Sequence, residues 1–259
     1  MTSPPPTPPQ QLVRVCAHRG CSNTHPENTL PAFEAAVALG CEQIELDVWL
    51  SADSTPVLLH DPSVDRTTNG EGFVWDLSDA QIFALDASNG QAGFAGVRIP
   101  TLGQALNVIP AAVEINVHVH PARDSSPAAP EDSEQLLQTV CCLLRRYQRL
   151  KSSFITGNET VMNTMRTLGC LDVRRCMGSR SSEVYESFSN EVNLYAIQPT
   201  NQTTDLALCE AIHARERLVW PFFANDVSEM RRLIACGVDG ILTDHPERLI
   251  ALLRHRPRI

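Results

Sequence analysis

Lysine is almost missing from this chain. Among 259 residues only Lys151 carries an ammonium group, so arginine supplies nearly all the positive charge. Basic charge as a whole is in deficit: the formal net charge is -9 and the pI lies near 5.3. Nucleic-acid binders need a basic stripe or patch, and that class is excluded. An anionic ligand would have to be drawn in by a local cation or a few arginines, not by the overall field. No run of roughly 18 apolar residues occurs, so no transmembrane segment is expected. The opening M-T-S-P-P-P-T-P-P-Q-Q has neither a basic nor an apolar region and does not read as a signal peptide. The nine cysteines contain no C-x-x-C pair and are odd in number. They read as small buried thiols of a reducing compartment, not as a zinc site or a disulfide framework. These absences point to a cytoplasmic protein with a short, extended, proline-rich tail over residues 1–11.

What is present is a strong alternation. The chain is 43% hydrophobic, enough for one sizeable core at a length that α/β barrels commonly reach. Short apolar runs suited to strands fall near residues 12–17, 43–50, 113–119, 153–156, 173–177, 194–198, 218–223 and 239–242. Helical patterns separate most of them, at 29–39, after Thr101, and at 133–150, 159–168, 204–215, 227–236 and 246–254. Strand–helix alternation with a count of eight strands predicts a single closed (β/α)8 barrel, a TIM barrel, over residues 12–259. Residues 62–99 are too long for an ordinary connection and are expected to form a small insertion after the second strand. No internal repeat or second domain is visible.

The chemistry-bearing residues concentrate between Val15 and Asp61. V-C-A-H-R-G supplies His18 and Arg19, P-E-N-T supplies Glu27 and Asn28, I-E-L-D-V supplies Glu45 and Asp47, and L-L-H-D supplies His60 and Asp61. Glu45 and Asp47 share one face of a strand because strand side chains alternate. A buried sheet face should not carry two acids without a compensating cation. Carboxylates hold hard divalent ions, arginine holds phosphate, and two histidines can serve the two ends of a displaced group. V-E-I-N-V-H-V sets Glu114, Asn116 and His118 on one face of a later strand. The H-V-H pair His118 and His120 has the residue type for metal ligation, but no neighbouring motif supports it. Cys16 and Cys21 flank His18, and neither is needed as a nucleophile.

These residues resemble the glycerophosphodiester phosphodiesterases, within the phosphatidylinositol-phospholipase-C-like barrels. The resemblance rests on H-R-G at His18–Gly20, P-E-N-T followed by Ala32 and Phe33, E-L-D at 45–47, H-D at 60–61 and R-T-T at 66–68. It continues with I-P-T-L at 99–102 and G-V-D-G-I-L-T-D-H-P at 237–246. It implies His18 and His60 as the catalytic pair, and Glu45, Asp47 and Glu114 as ligands of Mg²⁺ or Ca²⁺. It implies Arg19 as a phosphate contact, with Asn116 and Phe222 lining the substrate site. The implied reaction is hydrolysis of a small-molecule glycerophosphodiester to glycerol 3-phosphate and an alcohol. The alternative is a lipid-acting relative, of lysophospholipase D or phospholipase type, working on intact lipids or lysolipids.

Three departures stand out. The lysine of the family's E-I-K would be Asn116, the tryptophan and threonine of its W-T-V-N would be Phe222 and Phe223, and the glycine of its T-x-D-G turn is Ser54.

Overall fold

The structure, a computed structural model, describes residues 13–120, 133–179 and 194–254. The tail expected over 1–11, and most of the irregular stretches expected near 121–132 and 179–191, lie outside the described residues. Eight parallel strands form a nearly closed barrel: β1 (Arg14–Ala17), β2 (Gln43–Leu50), β4 (Glu114–Val119), β5 (Ser153–Gly157), β6 (Arg175–Ser179), β7 (Leu194–Pro199), β8 (Leu218–Val219) and β9 (Gly240–Thr243). A short β3 (Pro56–Leu58) runs antiparallel to β2 beyond this circuit. The spatial order is β8-β7-β6-β5-β4-β2-β1-β9. The seam between β8 and β9 is joined by backbone hydrogen bonds from Asp239 to Val219 and from Leu242 to Pro221.

The strands follow the sequence pattern closely. In β2, Ile44, Leu46 and Val48 join the main core beneath the helices, and Gln43, Glu45 and Asp47 take the opposite face, all fully or nearly buried. Burial on both faces is what a parallel strand under a helical layer requires. β8 is shorter than the apolar run 218–223 suggests. Pro221 has no N–H to donate, so the regular ladder stops before it. The connection survives as a single parallel bridge between Thr200 and Phe222. Inside the barrel, Cys16, Phe154, Cys176, Ala196, Trp220 and Leu242 form a separate apolar layer. Gly240 belongs to that layer by necessity, since a Cβ there would stand 2.0 Å from a Trp220 ring carbon.

The helices are α1 (Leu30–Leu39), α2 (Asp79–Ala84), α3 (Leu102–Val108), α4 (Ser133–Arg146), α5 (Glu159–Thr167), α6 (Leu206–His213), α7 (Val227–Ala235) and α8 (Pro246–Arg254). Thr29 stands at the N-cap position of α1 with its hydroxyl turned back to the Pro26 carbonyl, and Gly40 ends the helix in the left-handed region with its N–H on the carbonyls of Ala36 and Val37. Thr101 opens α3 with a reciprocal capping box to Gln104. Between β3 and α3 the insertion builds its own small core from Val64, Val74, Ile82, Ala87 and Ile99 against Trp49, Val57 and Leu59. It returns to β3 through the Val57–Thr101 bridge, where I-P-T-L stands. Ser54, in the place of the expected glycine, takes φ 64. It therefore carries the turn's left-handed conformation without glycine's freedom.

Candidate active site

His18, Arg19, Glu45, Asp47 and His60 meet at the C-terminal edge of the strands, where barrels of this kind carry their chemistry. His18 follows β1, Asp47 lies in β2, His60 follows β3, His118 is in β4 and Asp244 follows β9. The H-R-G loop is held open by its backbone. Gly20 takes φ 81, and a Cβ on it would come within 2.7 Å of the Ala32 backbone. Arg19 itself takes φ 57, a conformation that costs a non-glycine residue about 1–2 kcal/mol. That turn aims the Arg19 N–H at Glu45 Oε2, 3.0 Å away.

Each of the two histidines is paired with a carboxylate. His18 Nδ1 lies 2.7 Å from Asp244 Oδ1. His60 Nδ1 lies 2.6 Å from Asp61 Oδ1. Burial would raise the Asp244 carboxyl, but hydrogen bonds from His18, Asn225 and Ser22 hold it well below the usual carboxylate range. Asp61 is likewise depressed, its burial outweighed by Arg66 and His60. Both acids are therefore ionised and accept, so each Nδ1–H donates and each Nε2 is left for other work. His18 Nε2 stands 3.9 Å from Glu45 Oε2. A ring nitrogen of His60 lies within 4.8 Å of an Asp47 carboxylate oxygen. One imidazole thus serves the Glu45 side of the acid pair and the other the Asp47 side.

Asp47 is the hub. It is fully buried. Asn28 of P-E-N-T grips it twice: Nδ2 donates to Oδ2 at 3.0 Å, and the Asp47 N–H donates to Asn28 Oδ1 at 3.1 Å. Arg19 Nε lies 3.4 Å from Oδ2, His118 Nδ1 3.4 Å and His120 Nε2 2.9 Å from Oδ1. Burial pushes this carboxyl up, yet the neighbouring His118 and His120 rings win and hold it well below its ordinary value. His118 is driven the other way, up to about 9, because Asp47 and Glu45 outweigh its desolvation. A second ion-pair chain ties the arginines to His60. Glu27 accepts from Arg19 at 3.0 Å and from both terminal nitrogens of Arg66, and Arg66 Nε donates to Asp61.

Three residues expected in the site are not brought to it. The β2–β4 register pairs Gln43 with Glu114, Glu45 with Asn116 and Asp47 with His118. Glu114 therefore sits at the opposite, N-terminal end of the barrel. There it pairs with Arg174 at 2.8 Å and Arg14 at 3.5 Å and accepts from Gln43 and the Tyr195 hydroxyl. Asn116 is buried midway, donating to Gln198 at 3.0 Å and accepting from Thr156 at 2.6 Å. Phe222 packs against the apolar layer inside the barrel, and its neighbour Phe223 is the one that is 47% exposed and stacks on His18 at 5.3 Å. Strand alternation put Glu114 on the right face but not at the right height, and height is set by register. Replacing Glu114 by Gln is expected to lower stability by about 1–3 kcal/mol, by stripping the arginines of their counter-charge. It should leave kcat of the folded enzyme within about twofold, as denaturant titration alongside steady-state assay would show.

Asp244, Asn225, Asn28 and Arg66 are the contributors that sequence reasoning left unassigned. Each stands inside a motif (T-D-H-P, P-E-N-T, R-T-T, and F-F-A-N at 222–225 where the family has W-T-V-N), and that position was the available signal. Asn225 clamps Asp244 by donating to Oδ2 at 2.7 Å and accepting from the Asp244 N–H at 3.0 Å.

Comparisons with known proteins identify the family. The family model described as "Glycerophosphoryl diester phosphodiesterase family" matches residues 18–248. The glycerophosphodiester phosphodiesterase of Caldanaerobacter subterraneus subsp. tengcongensis is 33% identical over 242 residues, covering 93% of this chain and 97% of that protein. Glycerophosphodiester phosphodiesterase 1 of Bos taurus is 45% identical over 101 residues, 38% of this chain and 30% of that protein. Among solved structures, an Oleispira antarctica phosphodiesterase in complex with the product sn-glycerol-3-phosphate superposes with a TM-score of 0.83. It is 26% identical and covers 94% of this chain and 97% of that one. With this fold and a family match that runs nearly end to end, the chain belongs to the glycerophosphoryl diester phosphodiesterase family and is an enzyme of that class.

Proposed function

We propose that the chain hydrolyses glycerophosphodiesters to glycerol 3-phosphate and an alcohol, with a divalent cation at Glu45 and Asp47 and with His18 and His60 as its acid–base pair. The observation that carries this reading is the matched pair of imidazoles. Each is fixed at Nδ1 by an ionised aspartate, and the two flank one buried acid pair. Displacement at phosphorus needs a proton removed from the attacking hydroxyl and another delivered to the leaving oxygen. Two oriented Nε2 atoms meet that need. The bound product of the Oleispira protein supports the same substrate class.

The residues present fit a cation. Glu45 and Asp47 are 1% and 0% exposed, and with His118 they set three potential ligand atoms within 4.8 Å of one another. A divalent ion held there would neutralise a non-bridging phosphoryl oxygen and lower the pKa of a hydroxyl bound to it. Arg19, fixed by Glu27 and Asp47, adds a guanidinium charge for the phosphoryl group. Phe223, on the open face of His18, forms part of the wall against which the alcohol or glycerol portion rests. No helix among the described residues is long and apolar enough to cross a membrane. A cytoplasmic site of action goes with this reading, and all nine cysteines are free thiols.

The test is turnover of glycerophosphocholine against lysophosphatidylcholine by the purified chain, with and without EDTA, scoring glycerol 3-phosphate. The soluble diester should be the better substrate and EDTA should stop the reaction. Preference for the lysolipid, or full activity in EDTA, would overturn the reading.

Asp244→Asn provides a finer check. The amide keeps the shape but no longer stabilises a charged His18 or selects its tautomer. We expect kcat to fall by about 10–100-fold with KM little changed, and one limb of the pH–rate profile to move. A uniform loss without a change in the profile would mark Asp244 as merely structural.

A further inference from the structure

We infer that His118 is the third protein ligand of the cation, so that the site is a mixed one of two carboxylates and one imidazole, tuned toward borderline ions such as Mn²⁺, Co²⁺ or Zn²⁺ instead of Mg²⁺ or Ca²⁺. The inference rests on the proposed cation at Glu45 and Asp47 and goes beyond it in naming the donor set and the ion class.

The register makes the argument. Position 118 is the residue of β4 paired with Asp47, and it is histidine. The only acid on that face of β4, Glu114, is four residues lower and already committed to Arg174, Arg14, Gln43 and Tyr195. Among the described residues, the candidate metal-holding groups at this edge are Glu45–Asp47–His118 and Asp47–His60–His120, each of which includes histidine. His118 Nδ1 is 3.6 Å from Glu45 Oε1 and 3.4 Å from Asp47 Oδ1. Those separations are long for direct hydrogen bonds. They are close to the roughly 3.0–3.4 Å that separates two ligands each about 2.1 Å from one ion. His120 makes a different contact: its Nε2 is 2.9 Å from Asp47 Oδ1, a normal hydrogen bond, and its ring stacks on Trp49. His120 therefore orients Asp47, and His118 is the ring poised between both acids.

The donor type sets the selectivity. Mg²⁺ and Ca²⁺ take oxygen ligands, usually with more than one carboxylate and several further oxygens. An imidazole nitrogen adds little to their binding and adds strongly to that of Mn²⁺, Co²⁺ and Zn²⁺. With its proton displaced by the ion, the neutral ring also lowers the negative charge of the site relative to a third carboxylate, which weakens its hold on hard ions further.

The experiment uses the whole chain, freed of metal with EDTA and reloaded. Electron spin-echo modulation of the Mn²⁺-loaded protein should show a directly coordinated ¹⁴N, lost in His118→Glu and kept in His120→Ala. Calorimetric titration should give a Co²⁺-to-Ca²⁺ affinity ratio at least tenfold higher for wild type than for His118→Glu, with circular dichroism confirming that the variant is folded. Absence of coordinated nitrogen in the wild type overturns the inference whether or not any variant folds. So does nitrogen coupling that disappears in His120→Ala and persists in His118→Glu. Turnover without nitrogen coupling would remove this inference and leave the proposed function standing. Nitrogen coupling without turnover of glycerophosphodiesters would do the reverse.

Discussion

His18→Ala and His60→Ala are each expected to lower kcat by about 10²–10⁴-fold, the usual worth of a positioned general acid or base. The geometry makes the two losses comparable in kind. Each imidazole has its own aspartate at Nδ1, and each reaches the acid pair from a different side, His18 near Glu45 and His60 near Asp47. Neither could take over the proton transfer proposed for the other without leaving its aspartate. The double variant should therefore fall little below the weaker single one, because groups that act as a unit are not additive. Wild-type kcat should be bell-shaped in pH, and each single variant should lose one limb. Neither change should unfold the barrel, since both rings lie at the open edge and not in the apolar layers. Steady-state rates across pH, with thermal denaturation as the control, would decide it. A wild-type profile flat through neutral pH, or a single variant within tenfold of wild type, would remove the pair from the mechanism.

How much of this was legible beforehand depended on which physical rule each residue answers to. The barrel could be read because burial on both faces of a parallel strand produces dense apolar runs, and those runs recur between helical patterns. Glu45 and Asp47 could be read because period-two alternation fixes their face within a single strand. Glu114 could not be placed by the same rule. Its distance from Asp47 is set by the β2–β4 register, a relation between segments more than 60 residues apart in sequence. The register gives the site His118, four residues further along, and leaves Glu114 with Arg174. Asn116 is misplaced with it: it pairs with Glu45, and its amide is taken up by Gln198 and Thr156 inside the barrel. Asp244 was obscured for a related reason. It lies 226 residues from His18 in sequence, and only barrel closure makes β1 and β9 neighbours. Phe222 and Phe223 differ by one position on a segment next to Pro221, where alternation no longer applies, so sequence could not say which ring meets His18.

Asp47→Asn should be the most damaging single change. The amide preserves volume, so the loss is one of charge. On the proposed mechanism a cation held at this acid pair would supply several kcal/mol of transition-state stabilisation, and about 4 kcal/mol corresponds to roughly 10³-fold in rate. Asp47 also orients Arg19, His118 and His120 at once, so the neutral variant loosens all three side chains together. Stability should respond with a definite sign. The folded state depresses the Asp47 pKa, so its contribution is full above the unfolded value of about 3.9 and fades as pH falls below it. Metal-free wild type should therefore melt above Asp47→Asn at neutral pH, and the two should converge on acidification below about pH 4. Adding a divalent ion should raise the melting temperature of the wild type and leave the variant nearly unmoved, because ligand stabilisation follows occupancy. Calorimetry in EDTA and in excess Mn²⁺ separates the two effects. A variant that kept activity within tenfold, or that gained as much melting temperature from metal as the wild type, would mean that the ion is held somewhere other than at Asp47.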